Sequence, residues 1–278
     1  PTPRPTNHYY QQVAKLTAAD AAEGHEFGYS VAVDGDTVAV VSFEYRNGLG
    51  ALYVFRTSNS DTAYTQVRKL MASDAEGGDY FGCFVAIHGD TIVVGAPWDD
   101  GGAGSSTGSA YVFRTTNGGA SWYQVAKLTA HDAQRTDLFG WSVAIAGDAI
   151  LVGAPWDQFS VMEDDNKFGY GNKQGSVYVF SRTTYGFVTK LKAADSAEDD
   201  EFGISVAIDG SVVVVGTFYG DAAYVFRTDD DGATYVQVAK LTAAEAEAAA
   251  SDPFGRSVAI DGGTVVVGAS HEDGGSGA

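Results

Sequence analysis

The chain has little of several things that carry chemistry. Cys83 is the only cysteine in 278 residues, so no intrachain disulfide can form. Its place in FGCF, at the head of an apolar run, reads as a small core residue rather than a reactive thiol. The five histidines (His8, His25, His88, His131 and His271) are scattered, with no metal-ligand spacing and no nucleophile beside them. No glycine-rich loop opens a helix, so a phosphate cradle of that kind is not written here. No apolar run reaches the roughly 18 residues that a spanning helix needs. Basic residues are scarce as well: 17 Lys and Arg stand against 36 Asp and Glu, a formal net charge of −19. Such a surface repels the phosphates of nucleic acid and of anionic membranes, and it suits solubility, divalent cations or basic partners. Helical periodicity is nearly absent; only the Ala/Glu run 243–250 suggests a turn or two of helix.

What the chain does have is repetition. FGCFVAIHGDTIVVGAPW (Phe81 to Trp98) reads as two short strands joined by a tight Gly-Asp turn, and similar text starts at Phe27, Phe139, Phe202 and Phe254. After each of the first four, a Gly-rich lead-in precedes a Tyr-Val-Phe strand, as in GSAYVFR (Gly108 to Arg114). A Lys-Leu strand such as QVAKL (Gln124 to Leu128) follows. A repeat of roughly 50 to 60 residues means stacked units, none of which buries its apolar face alone. Four antiparallel strands per unit, with a second strand apolar throughout and therefore covered on both faces, describe the blade of a β-propeller. A β-solenoid is the alternative, but its repeats are usually about half as long. Residues 1–8, PTPRPTNH, read as a Pro-rich stub, and 9–278 as one all-β propeller of about five four-stranded blades. The last blade is incomplete: its Tyr-Val-Phe strand is not written, while Tyr9 to Leu16 resembles a Lys-Leu strand without its own third strand. Both ends are therefore expected to be completed by other polypeptide, from a longer array or a neighbouring subunit.

These units closely resemble the FG-GAP repeat of integrin α-subunit heads and many secreted proteins. Phe81-Gly82 with Gly95-Ala96-Pro97, and Phe139-Gly140 with Gly153-Ala154-Pro155, carry both halves of the signature; the other three units keep the Phe-Gly pair. The resemblance implies a propeller, an extracellular or cell-surface setting, and adhesion or ligand binding rather than catalysis. One departure matters. Calcium-binding blades of that family carry an Asp-rich loop between strands one and two, whereas here a turn such as His88-Gly89-Asp90 cannot supply six or more oxygen ligands.

Charge placement points to one end of the blades. Most of the 36 acidic residues fall in the inter-blade connectors and the loops between strands two and three, which share a face. Asp79, Asp137, Asp200 and Asp252 each stand two before a Phe, where a side chain can cap a turn. Trp98 and Trp156 open equivalent loops, with Tyr219, His271 and Glu44 at the matching positions. An indole there can stack on a sugar ring while Asp99, Asp100 and Asp157 accept its hydroxyl hydrogens. If calcium binds, the candidates are Asp99, Asp100, Asp164 and Asp165, the latter two in the long loop Asp157 to Gly175. The hairpin Asp229 to Gly232, at the opposite end, could hold a cation but reads first as a solvated turn. The expected function is a non-enzymatic extracellular binding or adhesion module for a glycan or protein ligand. The alternatives are a building block of a surface assembly and, third, an accessory domain of a larger enzyme.

Overall fold

The structure, a computed structural model, describes residues 12–44, 48–57, 63–100, 106–157, 173–243 and 254–269. Asp164, Asp165, Asp252, His271 and all but the first residue of the Ala243 to Ala250 run lie outside them. Every regular element among the described residues is a strand. Blade 1 holds β1 (His25–Asp34), β2 (Thr37–Glu44), β3 (Ala51–Thr57) and β4 (Tyr64–Leu70). Blade 2 holds β5 (Val85–His88), β6 (Thr91–Ala96), β7 (Ser109–Arg114) and β8 (Tyr123–Leu128). Blade 3 follows with β9 (Ser142–Ala146), β10 (Ala149–Ala154), β11 (Ser176–Ser181) and β12 (Phe187–Leu191). Blade 4 comprises β13 (Ser205–Asp209), β14 (Val212–Gly216), β15 (Ala223–Arg227) and β16 (Val236–Leu241). The fifth sheet has two strands, β17 (Phe254–Asp261) and β18 (Thr264–Ala269).

Each sheet is an antiparallel meander in chain order, as tight Gly-containing turns require. Gly89 and Gly147 sit in those turns at φ 59° and 56°, a left-handed conformation that a side chain disfavours. First strands pack on one another in order, β1 on β5, β5 on β9, β9 on β13 and β13 on β17, so they line the inner edge of a propeller-like array. Among the described residues the array is not closed.

The core lies between blades. Leu52 and Val54 of β3 face forward onto Phe81, Val85 and Tyr111, whereas Tyr53 and Phe55 face backward. The alternation of a strand thus serves two interfaces rather than core and solvent, and this is why β6 and β10 are apolar at almost every position. The Phe-Gly and Gly-Ala-Pro signatures meet at these junctions. A Cβ on Gly95 would overlap the carbonyl oxygen of Gly140 in the next blade, so the two backbones touch where side chains cannot fit.

One expected element differs. Residues 12–18 form no strand. A fourth strand needs a free third-strand edge, and β3 is already paired with β2 and β4. Leu16 and Ala18 pack instead against the rear face of blade 1, on Tyr53 and Phe55.

Candidate functional site

The upper end of the array carries the connectors and the loops between second and third strands, and its carboxylates divide by role. One set locks blade to blade. Asp20, Asp74, Asp132 and Asp195, each at the same point after a Lys-Leu segment, bond the lysine of the following blade's fourth strand: Lys69, Lys127 (2.7 Å), Lys190 (2.7 Å) and Lys240 (2.6 Å). Each lysine also lies over the tyrosine of its own third strand, 4.7–5.3 Å from the ring centres of Tyr53, Tyr111, Tyr178 and Tyr224. The hydroxyls of Tyr53 and Tyr178 donate to Asp20 and Asp132 at 2.9 and 2.8 Å. The lysine hydrogen bonds hold the Asp20 and Asp195 carboxyls below their ordinary range. Burial works to raise Asp132, but Lys190 and Tyr178 leave it lowered.

A second set caps turns. Asp79, Asp137 and Asp200 each accept a backbone N–H three residues earlier, from Glu76, Gln134 and Ala197, at 2.7 Å. Asp137 is the extreme case: it is wholly buried, its Oδ1 has no hydrogen-bond partner among the described residues, and burial pushes its pKa up to about 7.

The proposed ligand carboxylates fall unevenly. Asp99 is only 5% exposed; it accepts the Tyr111 hydroxyl and pairs with Lys127 at 2.9 Å. Asp157, 2% exposed, accepts the Ser176 hydroxyl and pairs with Lys190 at 2.7 Å. Both therefore extend the Tyr–Lys locks inward. Asp100 is exposed and accepts the Ser106 N–H at 3.2 Å. No group of three His, Cys, Asp or Glu side chains that could hold a metal ion occurs among the described residues. Cys83 is buried, and desolvation pushes its thiol up to about 12, which leaves it without thiolate character at neutral pH.

The aromatic residues are organised differently from the carboxylates. Trp98 does not pair with Trp156; it joins a band that runs from blade 1 to blade 3. Tyr29 stacks on Phe43 (4.6 Å between ring centres) and Phe43 on Tyr80 (5.0 Å). Tyr80 meets Trp98 edge-on at 5.0 Å, Trp98 meets Trp141 at 5.6 Å, and Phe84 closes the run on Trp141 at 6.5 Å. Tyr29 is 52% and Phe84 36% exposed, with Tyr80, Trp98 and Trp141 half-buried. Trp156 is covered by the Lys173 ammonium, 3.9 Å above its ring, and Lys173 is itself paired with Glu201. Tyr219 packs edge-on against Phe218 and is 64% exposed.

Sequence reading missed Tyr29, Phe84 and Trp141. The signal was present at the start of the first strands, where Phe84 takes the place that Ser30, Ser142, Ser205 and Ser257 hold in the other units. Three of those serines bond the neighbouring blade: Ser30 accepts the Val85 N–H, and Ser142 and Ser205 donate to the Gly203 and Gly255 carbonyls at 2.7 and 2.9 Å. A phenyl ring cannot make that bond.

Fold and repeat together define a class: a propeller-like array with inter-blade glycine junctions and no assembled catalytic group among the described residues. The FG-GAP repeat model matches residues 10–55, 64–113, 122–180, 185–237 and 235–278, and the chain belongs to the FG-GAP repeat family. No curated protein matches it. Among solved structures it is similar to hydrazine synthase of Kuenenia stuttgartiensis, with 18% identity, a TM-score of 0.51, and coverage of 87% of this chain and 71% of that one. A second structure, assigned as a 6-phosphogluconolactonase from Bacteroides uniformis, aligns at 14% identity and a TM-score of 0.46 over 79% of this chain and 58% of that one. At such identities the first likeness shows the fold alone.

Proposed function

We propose that the chain is a non-enzymatic, extracellular or cell-surface binding module that takes a glycan on the aromatic band of its upper face. The observation that carries this reading is the unbroken run of six rings across three blades. Phe43 is buried and anchors the run from below; the other five rings, held edge-on and face-on, present a rigid apolar surface on which sugar faces stack, at little cost in side-chain ordering. Asp100, exposed and two residues after Trp98, is the carboxylate this reading assigns to accept hydroxyl hydrogen bonds, whereas Asp99 and Asp157 are engaged by lysine. A glycan array probed with the protein and with Trp98→Ala/Trp141→Ala tests it. Binding of a sugar class, lost by at least about tenfold in the double variant, supports the reading. Absence of glycan binding, or equal binding by the variant, overturns it, and capture of a protein ligand through the same residues would favour adhesion to protein.

A second reading, a building block of a surface assembly, has its own observation. Tyr29, Val31 and Val33 of β1 are 52%, 63% and 67% exposed, whereas Val85 and Val143, at the position of Val31, are 8% exposed because the preceding blade covers them. At the other end Val266 of β18 is 62% exposed, and among the described residues β18 pairs only with β17. The two faces are those that meet at every interior junction, so a second copy docked head to tail is the occupant that continues the interface already in place. Sedimentation over a concentration series decides it: self-association abolished by Val31→Glu/Val33→Glu supports the reading, and a monomer at all concentrations refutes it.

A further inference from the structure

The lower end of the array, built from the strand one-to-two turns and the strand three-to-four loops, holds a cleft at two blade junctions. Between blades 1 and 2 it measures about 550 Å³ and is lined by Asp36, Arg56, Asp90 and Trp122 among others. Between blades 3 and 4 it measures about 590 Å³, and its walls include Phe180, Val188, Ser211, Arg227, Asp231 and Tyr235. Both volumes suit a small molecule.

The repeat supplies the control that separates the two. In blades 1 and 2 the arginine at the end of the third strand (last residue of β7, last but one of β3) is matched by an aspartate in the first turn of its own blade: Arg56 with Asp36, and Arg114 with Asp90 at 2.8 Å. Blade 4 keeps the arginine, Arg227, but has Ser211 where the aspartate stands. Among the described residues no carboxylate comes within 4.0 Å of the Arg227 guanidinium, which is exposed on the cleft wall. The opposite charge is unmatched too. Asp229 and Asp231 line the same cleft, exposed, with no ion pair or side-chain hydrogen bond among the described residues. Asp230 between them bonds Thr228 and Thr234 and fixes the loop. Asp148 on the facing blade is committed to Ser181 and Thr183.

The cleft thus offers one free guanidinium and two free carboxylates beside an apolar wall. A simple anion would meet Arg227 but be repelled by Asp148, Asp229 and Asp231; a simple cation would leave Arg227 unanswered. A ligand carrying both charges satisfies both sets. We propose that the cleft between blades 3 and 4 binds a small zwitterion of the amino-acid type. Its carboxylate takes the place of the aspartate that blade 4 lacks, its ammonium lies toward Asp229 and Asp231, and its side chain rests on Phe180, Val188 and Tyr235. Binding is expected to be weak, with a Kd of about a millimolar, because the charges are partly exposed.

The test is calorimetry or saturation-transfer NMR with L-leucine as the probe, alongside N-acetyl-L-leucine and L-leucine methyl ester, each of which removes one charge. L-leucine should bind, both derivatives at least about tenfold more weakly. Ser211→Asp should abolish binding while leaving the unfolding midpoint unchanged or higher, since Arg227 then regains the partner that Arg114 has. Arg227→Gln should have the same effect on binding and decides the matter if the first variant does not fold. Trp98→Ala should leave leucine binding intact, so this site and the upper-face reading fail separately. No leucine binding, or binding unchanged by Ser211→Asp and Arg227→Gln, overturns the proposal.

Discussion

Val31 and Val143 hold the same position in two copies of one repeat, yet the first is 63% and the second 8% exposed. Phe27 and Phe139 differ in the same sense: Phe139 is fully buried against Tyr178 and Phe180, while Phe27 is half-buried against Tyr53 and Phe55. Local sequence is nearly constant between blade 1 and blade 3; the neighbour is not. In this fold, burial belongs to the junction rather than to the repeat, and an end blade keeps the pattern of a core residue without its environment.

Glycine gives the sharpest contrast. Gly140 (φ 96°) and Gly28 (φ 93°) share a conformation, but a Cβ on Gly140 would overlap the Ser109 carbonyl oxygen, whereas nothing lies within 4 Å of one on Gly28. Gly140→Ala should cost about 4 kcal/mol or more and Gly28→Ala about 1–2 kcal/mol, from conformational strain alone. Denaturant midpoints measure the difference, and equal losses would mean that strain rather than junction contact governs both. Phe139→Ala should come next, at about 3–5 kcal/mol against about half that for Phe27→Ala.

Val143→Ala should cost about 2 kcal/mol and Val31→Ala less than about 0.5 kcal/mol at low concentration. A Val31→Ala cost that grows with protein concentration would show the face to be covered by a second copy. Readable through pH is Asp137. Its folded pKa of about 7 lies above the ordinary 3.8, so between these values the native state holds a proton that the unfolded chain has lost. Stability from this group is therefore present below about pH 4 and declines as pH rises through 7. Asp137→Asn should flatten that decline and stabilise the protein by about 1–2 kcal/mol at pH 8, followed by thermal unfolding. A steeper decline in the variant would show that burial is not what raises the group. The lysine-paired Asp20 and Asp195 act in the opposite sense, since their lowered pKa values stabilise the fold above the ordinary range and lose that effect on acidification.

Much of the fold was legible because its signals are local. Strand runs, Gly-Asp turns at positive φ and the capping roles of Asp79, Asp137 and Asp200 each depend on a few consecutive residues. The candidate site was read less well. Asp99 and Asp157 look like free loop carboxylates in the sequence, but Lys127 and Lys190, which hold them, are 28 and 33 positions away in the chain. The Tyr–Asp–Lys locks recur in every complete blade, but their members come from different repeats, so no single unit displays one.

What the sequence alone determined is the repeat, the strand order within each sheet and the all-β class, because hydrogen-bond ladders between consecutive strands follow from adjacent text and turn length. Tertiary structure alone decided which face each strand buries, which aspartates are bound to lysine and which rings meet. Trp98 and Trp141 come together at 5.6 Å only because blades 2 and 3 stack with Gly95 against Gly140, and that contact is set by the junction of two sheets. The cleft at Arg227 arises the same way: a serine in one turn becomes an unmatched charge only when the fold brings turn and strand end together.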